Sequence, residues 1–251
     1  MTLQTNYQRL QDNLAYLKLK QCMLHLDETI ELANTQSLSH IEWLLKLSDY
    51  EVDIKRQNVI NHMVKISNFP HLKTLADFEF SFQPQINEMQ IKDLASLGFM
   101  EQAENIVFLG SSGVGKTHLA TSLGIESSRN RRSTYFIKCH DLIQNLKSAK
   151  DEGRLETRLK HYARYQLLII DEIGYLPLQP GDANLLFQII DRRYEKKSTI
   201  VTSNINFDER ATILHDERVA NAIVDRLLHH AHVISITGDS YRLRNHMQQK
   251  E

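Results

Sequence analysis

Apolar positions in the first quarter of the chain recur at helical spacing. Leu10, Leu14, Leu17, Met23 and Leu24 make one stripe, and Ile41, Leu44, Leu45 and Leu47 make a second. Neither glycine nor proline occurs before Pro70, so little interrupts these helices. Ser39, followed three residues later by Glu42 and an apolar run, has the form of a capping box. Residues 1–68 therefore predict a small all-α domain of about three helices. The pattern changes at FPHLKTLADFEFSF, where Pro70 stops the helix and aromatic and acidic residues alternate. Residues 69–104 read as a connector that packs on the next domain, with a short helix from Glu88 to Leu97.

From Asn105 onward, short apolar runs alternate with amphipathic stretches. The expected strands are Ile106–Leu109, Thr134–Lys138, Leu167–Asp171, Thr199–Ser203 and His232–Ile236. This alternation predicts an α/β domain over residues 105–251, with a five-stranded parallel sheet between helices.

With 251 residues, the chain can bury a sizeable core without disulfides or metal. Its two cysteines, Cys22 and Cys139, are far apart and read as buried or incidental thiols of a reducing cytoplasm. No apolar run is long enough to span a bilayer and the amino terminus has no signal-peptide core, so the expected location is cytoplasmic, with no membrane partner. The net charge of −1 argues against indiscriminate polyanion binding but leaves room for local basic faces.

The sharpest chemical signal is Gly110-Ser111-Ser112-Gly113-Val114-Gly115-Lys116-Thr117, which follows an expected strand and opens an expected helix. Glycines let successive backbone N–H groups face one anion, and the helix start adds its positive dipole end. Lys116 has the reach for β- and γ-phosphates, and the Thr117 hydroxyl suits a Mg²⁺ position. Ser111, Ser112, Val114 and His118 complete the expected ATP-binding set. The strand Leu167–Ile170 then delivers Asp171 as a Mg²⁺ ligand and Glu172 as general base for an attacking water. That adjacent glutamate favours ATP hydrolysis over small-molecule phosphoryl transfer. Asn204, after a β-branched strand, is placed to sense the γ-phosphate. Arg226, or failing it Arg218, is the candidate for an arginine given in trans to a neighbour's nucleotide.

These elements in this order resemble an AAA+ ATPase. The runs GSSGVGKTHLA, LLIIDEIGYLPL, LLFQIIDRRYEKKSTIVTSN and DRLLHHAHVISITGDSYRLR narrow the resemblance to the IstB-like ATP-binding proteins. These are transposition helpers of bacterial insertion sequences, similar to the DnaC helicase loaders. The amino-terminal Leu44, Leu45, Glu51 and Arg56 and the TLADFEF connector also fit, so the likeness covers nearly the whole chain. It implies an ATPase that forms ATP-dependent homo-oligomers on double-stranded DNA, deforms it, and recruits or stimulates a transposase of the same element. The helical domain is implied in DNA handling and self-assembly. Only fifteen residues follow the last expected strand, too few for the helical lid of many AAA+ proteins, so a neighbouring subunit is expected to complete the site.

Between the second and third strands, Lys147, Lys150, Arg154 and Arg158 lie in a mixed-charge segment that Gly153 divides into two helices. It suits a DNA backbone, and equally an ordinary solvated surface. His229, His230 and His232 suggest a metal only weakly, since no carboxylate or cysteine joins them at ligand spacing. The alternative to a transposition helper is a DnaC-like loader using ATP as a switch, and a P-loop kinase is the more distant reading.

Overall fold

The computed structural model describes residues 3–175, 179, 181–204 and 217–243, with side chains from Thr5. Parts of the runs quoted above, at residues 176–178 and 244, lie outside that set. The chain divides into two compact units, one ending at His62 and the other beginning at Met63.

The first unit is helical: α1 (Leu3–Tyr16), α2 (Lys20–Leu24), α3 (Leu26–Gln36) and α4 (His40–Ile66), the last running into the second unit. Ser39 caps α4 as expected, its amide donating to Glu42 Oε2 at 2.8 Å while its Oγ accepts from the Glu42 amide at 3.3 Å. The apolar stripes are a different matter. Of the residues in them only Leu14 and Leu47 are buried, in a small cluster with Cys22 and Leu26. Leu17, Leu24, Ile41, Leu44 and Leu45 are 58–80% exposed. Helical spacing found the helices but overstated how much of each stripe this small unit encloses. The amides of Gln21 and Cys22 instead anchor on the buried carboxylate of Glu51, at 2.8 and 3.4 Å.

The second unit begins with the connector, α5 (Glu88–Ala95) and α6 (Gly98–Glu101), and continues as a doubly covered sheet. The strands are β1 (Asn105–Gly110), β2 (Thr134–Lys138), β3 (Leu167–Ile173), β4 (Ser198–Ser203) and β5 (Ala231–Ile236), all parallel in the order β2-β3-β4-β1-β5. Alternate residues enter opposite cores, as a two-residue period demands. Ile106, Phe108, Ile169 and Ile200 meet α7 (Lys116–Arg129), α5 and the connector on one face. Val107, Leu109, Ile170 and Val201 meet α8 (Cys139–Asp151), α9 (Leu155–Ala163), α10 (Asp182–Arg193) and α11 (Glu217–Leu228) on the other. Gly153, at φ +70°, separates α8 from α9 where expected.

One buried group underpins the far end of this sheet. Arg193, 1% exposed, donates to Thr199 Oγ1 and to the carbonyls of Ser198 (2.5 Å), Tyr165 (2.7 Å) and Tyr162 (3.3 Å). Burial pulls its guanidinium down to about 9. Both cysteines are buried, and burial pushes the Cys139 thiol up to about 12. Among the described residues no helix is long and apolar enough to cross a membrane.

Candidate functional site

Strand β1 ends where the chain order of the sheet reverses: β4 and β3 lie on one side of it, β5 on the other. Open parallel sheets bind ligands at such a switch point, outside the carboxyl ends of the strands. The loop from Gly110 to Gly115 occupies it and enters α7 at Lys116. Gly113 and Gly115 take φ of +84° and +106°, conformations that cost other residues strain. Neither has room for a side chain. A Cβ on Gly115 would stand 2.6 Å from the Phe78 ring, and one on Gly113 would overlap the Ser240 hydroxyl. Two segments distant in sequence therefore press on the loop, the connector through Phe78 and the carboxyl-terminal segment through Ser240. They are also tied to it and to each other: Tyr241 N–H donates to Gly113 O at 3.0 Å, and Gln83 Nε2 to Asp239 O at 2.9 Å.

The Lys116 ammonium lies over the loop, donating to the carbonyls of Gly110 (2.8 Å) and Ser111 (2.6 Å). Burial lowers its pKa and the charge of Arg242 adds to that, while Asp171 and Glu172 oppose it. Thr117 Oγ1 donates to both oxygens of Asp171, at 3.0 and 3.2 Å. Val114 is buried, Ser111 and Ser112 are exposed, and His118 bonds Thr74 O of the connector through Nε2 at 2.9 Å.

Asp171 is 1% exposed, and burial raises its pKa against the pull of its Thr202 and Thr117 hydrogen bonds. Just after it the β3–β4 register shifts between Ile170 and Ile173, and Glu172 sits at φ +62°. Such a bulge re-aims a side chain at a cost of roughly 1–3 kcal/mol for the left-handed residue, and it recurs at functional sites. Thr202 of β4 supports it from both sides. Its Oγ1 accepts from Glu172 N–H at 2.9 Å and donates to Asp171 Oδ1 at 2.5 Å. The Glu172 carboxylate pairs with Lys138, at the end of β2, at 3.0 Å, and that pairing raises the lysine's pKa.

Asn204 is exposed one residue beyond β4, the strand between β1 and β3. Arg226, in the last turn of α11, is held within its own chain: Nε donates to Asp191 at 2.8 Å, and the guanidinium lies 4.7 Å from the centre of the Phe187 ring. Arg218 lies in the first turn of the same helix. In the basic segment, Lys147 pairs with Asp182 at 3.1 Å and Arg154 with Glu152. Lys150 is exposed and Arg158 half-buried.

Sequence reasoning missed Thr202, Lys138 and Arg242. A hydroxyl residue within the fully buried strand STIVTS was a signal for the first. Lys138 required the strand register, which sets it beside Asp171. Arg242 required the folded position of the tail, which adds a cation from the same chain where one from a neighbour was expected.

The family described as IstB-like ATP binding protein matches residues 12–249. The chain belongs to this family. A protein named for ATP binding in insertion sequence IS232 of Bacillus thuringiensis subsp. berliner is 58% identical over 248 residues, 99% of each chain. Its counterpart in insertion sequence IS21 of Pseudomonas aeruginosa is 39% identical over 231 residues, 92% of this chain and 87% of the relative. Among solved structures, the DnaC helicase loader is 29% identical with a TM-score of 0.52, over 59% of this chain and 86% of the loader. The sheet and its covering helices are thus those of a P-loop AAA+ α/β fold like that of DnaC.

Proposed function

We propose that this IstB-like chain hydrolyses ATP, assembles on double-stranded DNA as an ATP-dependent homo-oligomer, and there recruits or stimulates the transposase of its own insertion sequence in the cytoplasm. The observation that carries the ATPase part is the Thr117–Asp171–Thr202–Glu172 chain of hydrogen bonds beside the phosphate loop. A hydroxyl and a buried carboxylate are hard oxygen donors that suit Mg²⁺. Bound there, Mg²⁺ neutralises charge on the phosphates of ATP.

In this reading Gly110–Thr117 enclose the phosphates, and Lys116 leaves the loop carbonyls for the β- and γ-oxygens. Thr117 and Asp171 hold the metal, and His118 fixes the connector against α7. Glu172, released from its pair with Lys138, accepts a proton from the attacking water. Asn204 orients that water or senses the γ-phosphate. Arg242 adds a cation in cis. Arg226 or Arg218 adds one in trans, which for Arg226 means leaving Asp191. Lys147, Lys150, Arg154 and Arg158 contact the DNA backbone, and the helical unit takes part in DNA handling and assembly.

The transposition role rests on relatives named from insertion sequences. Likeness to the DnaC loader supports a second reading, an ATP switch with little turnover. The Glu172→Gln variant tests the hydrolytic assignment. It should bind ATP like the wild type, lose turnover by at least about a hundredfold, and stay on DNA. Wild-type turnover in that variant would remove Glu172 from the base role.

A further inference from the structure

On the face opposite α7, three groups with metal-ligand chemistry converge although no sequence spacing links them. Glu195 lies just beyond α10, and His229 and His230 form the turn between α11 and β5. Their donor atoms all lie within 4.8 Å of one another, with Glu195 Oε1 at 3.7 Å from His229 Nδ1 and 3.8 Å from His230 Nε2. The carboxylate that the histidine stretch lacked in sequence is thus supplied by the fold. His232 takes no part, its Nε2 bonding Glu104 at 2.9 Å.

We propose that Glu195, His229 and His230 form a binding site for a divalent transition-metal cation of the zinc class. The separations are too long for hydrogen bonds, so neither imidazole N–H is committed to the carboxylate. For bonds of about 2.0–2.1 Å, tetrahedral donors stand roughly 3.3 Å apart, so the carboxylate closes on each imidazole by about half an ångström and the two imidazole donors, within 4.8 Å of each other, close by up to about 1.5 Å. Two imidazoles and one carboxylate select zinc-like ions over Mg²⁺ or Ca²⁺, which prefer all-oxygen sets. Tyr194 Oη, 2.7 Å from His229 Nδ1, is close enough to serve as a fourth ligand or to yield that nitrogen to the metal.

The backbones that carry the ligands are already fixed. Beyond α10, Lys196 and Lys197 N–H both donate to Arg193 O (2.9 and 3.0 Å), whose side chain is the buried guanidinium described above. Across the site, His229 N–H donates to Asp225 O at 3.0 Å and His230 O accepts from Asn105 N–H at 2.7 Å. Only side chains, each about half exposed, have to move. A bound cation would staple the end of α10 to the end of α11, one turn from Arg226, whose guanidinium also lies 5.8 Å from the Tyr194 ring. The site is independent of the phosphate loop.

The test uses the full chain, stripped with chelator and titrated with Zn²⁺ by calorimetry and with Co²⁺ by visible absorption. Expected are one-to-one binding and the intense bands of tetrahedral Co²⁺. Glu195→Gln, and separately the double change His229→Ala with His230→Ala, should each weaken Zn²⁺ binding by about tenfold or more. Zn²⁺ should raise the Tm of the wild type and not of the double variant. Circular dichroism checks that the exposed substitutions leave the fold intact. Absence of saturable binding in the wild type, or equal affinity in the double variant, would overturn the proposal.

Discussion

Replacing Thr202 by valine removes one hydroxyl and keeps the side-chain volume, so it isolates the hydrogen bonds that join Asp171 to Glu172. Asp171 Oδ1 loses its 2.5 Å donor and Glu172 N–H loses its 2.9 Å acceptor. A hydrogen bond to a charged group contributes about 1.5–3 kcal/mol, and an orphaned donor costs about 1–3 kcal/mol. The Glu172 amide is only part-buried and Thr117 still bonds Asp171, so the expected total is near the lower end, about 3 kcal/mol. At roughly 2–4 °C per kcal/mol for a domain of this size, Tm should fall by about 6–12 °C. Because the same bonds hold Glu172 in its bulge, steady-state phosphate release should fall by about tenfold or more, against about 1.4 kcal/mol of barrier. Thr202→Ser keeps both bonds and should retain most of the stability and turnover. Scanning calorimetry without nucleotide and a phosphate-release assay read the two effects. A valine variant that melts and turns over like the wild type would refute the support assigned to Thr202.

Lys138→Met frees Glu172 from an ion pair whose partners are 50% and 36% exposed, an interaction of about 0.2–1 kcal/mol. DNA-free turnover should rise by up to about fivefold, and a fall would mean that the lysine assists catalysis. Arg193→Met leaves buried carbonyls of the α9–β3 junction and of β4 without donors, costing about 3 kcal/mol in thermal unfolding. Its effect on nucleotide affinity should be small, and a loss of affinity matching the loss of stability would contradict this. Burial raises the Asp171 pKa, so its charged form opposes folding above that pKa and the penalty eases as pH falls through it. Asp171→Asn should therefore melt higher than the wild type at neutral pH, by a margin that shrinks in acid. In the wild type, Mg²⁺-dependent ATP binding should decline in acid at a higher pH than an ordinary aspartate would give, and an unshifted midpoint would refute the burial argument.

Strands β1 and β3 were legible because Ile106–Leu109 and Leu167–Ile170 are short apolar runs, the pattern that a parallel sheet buried on both faces requires, and the others through β-branched or alternating apolar residues. The phosphate loop was legible because close backbone approach restricts residue choice at Gly113 and Gly115. What stayed hidden depended on register or on distant contacts. Thr202 and Lys138 act through neighbouring strands, and Phe78 and Arg242 act from segments that fold back on the loop. In the first helical unit the spacing identified helices, yet a cluster built on four buried residues cannot enclose every apolar side chain that a periodic stripe offers. Glu195 and the histidine pair show the same limit, since their ligand geometry exists only once α10 and α11 are packed.

In the proposed function, ATP turnover belongs to an assembly on DNA. The most direct test measures phosphate release by the full chain with and without double-stranded DNA while the same mixtures are sedimented. Turnover should be stimulated by DNA, and large assemblies should need both ATP and DNA. A monomer whose turnover is indifferent to DNA would contradict the proposed function.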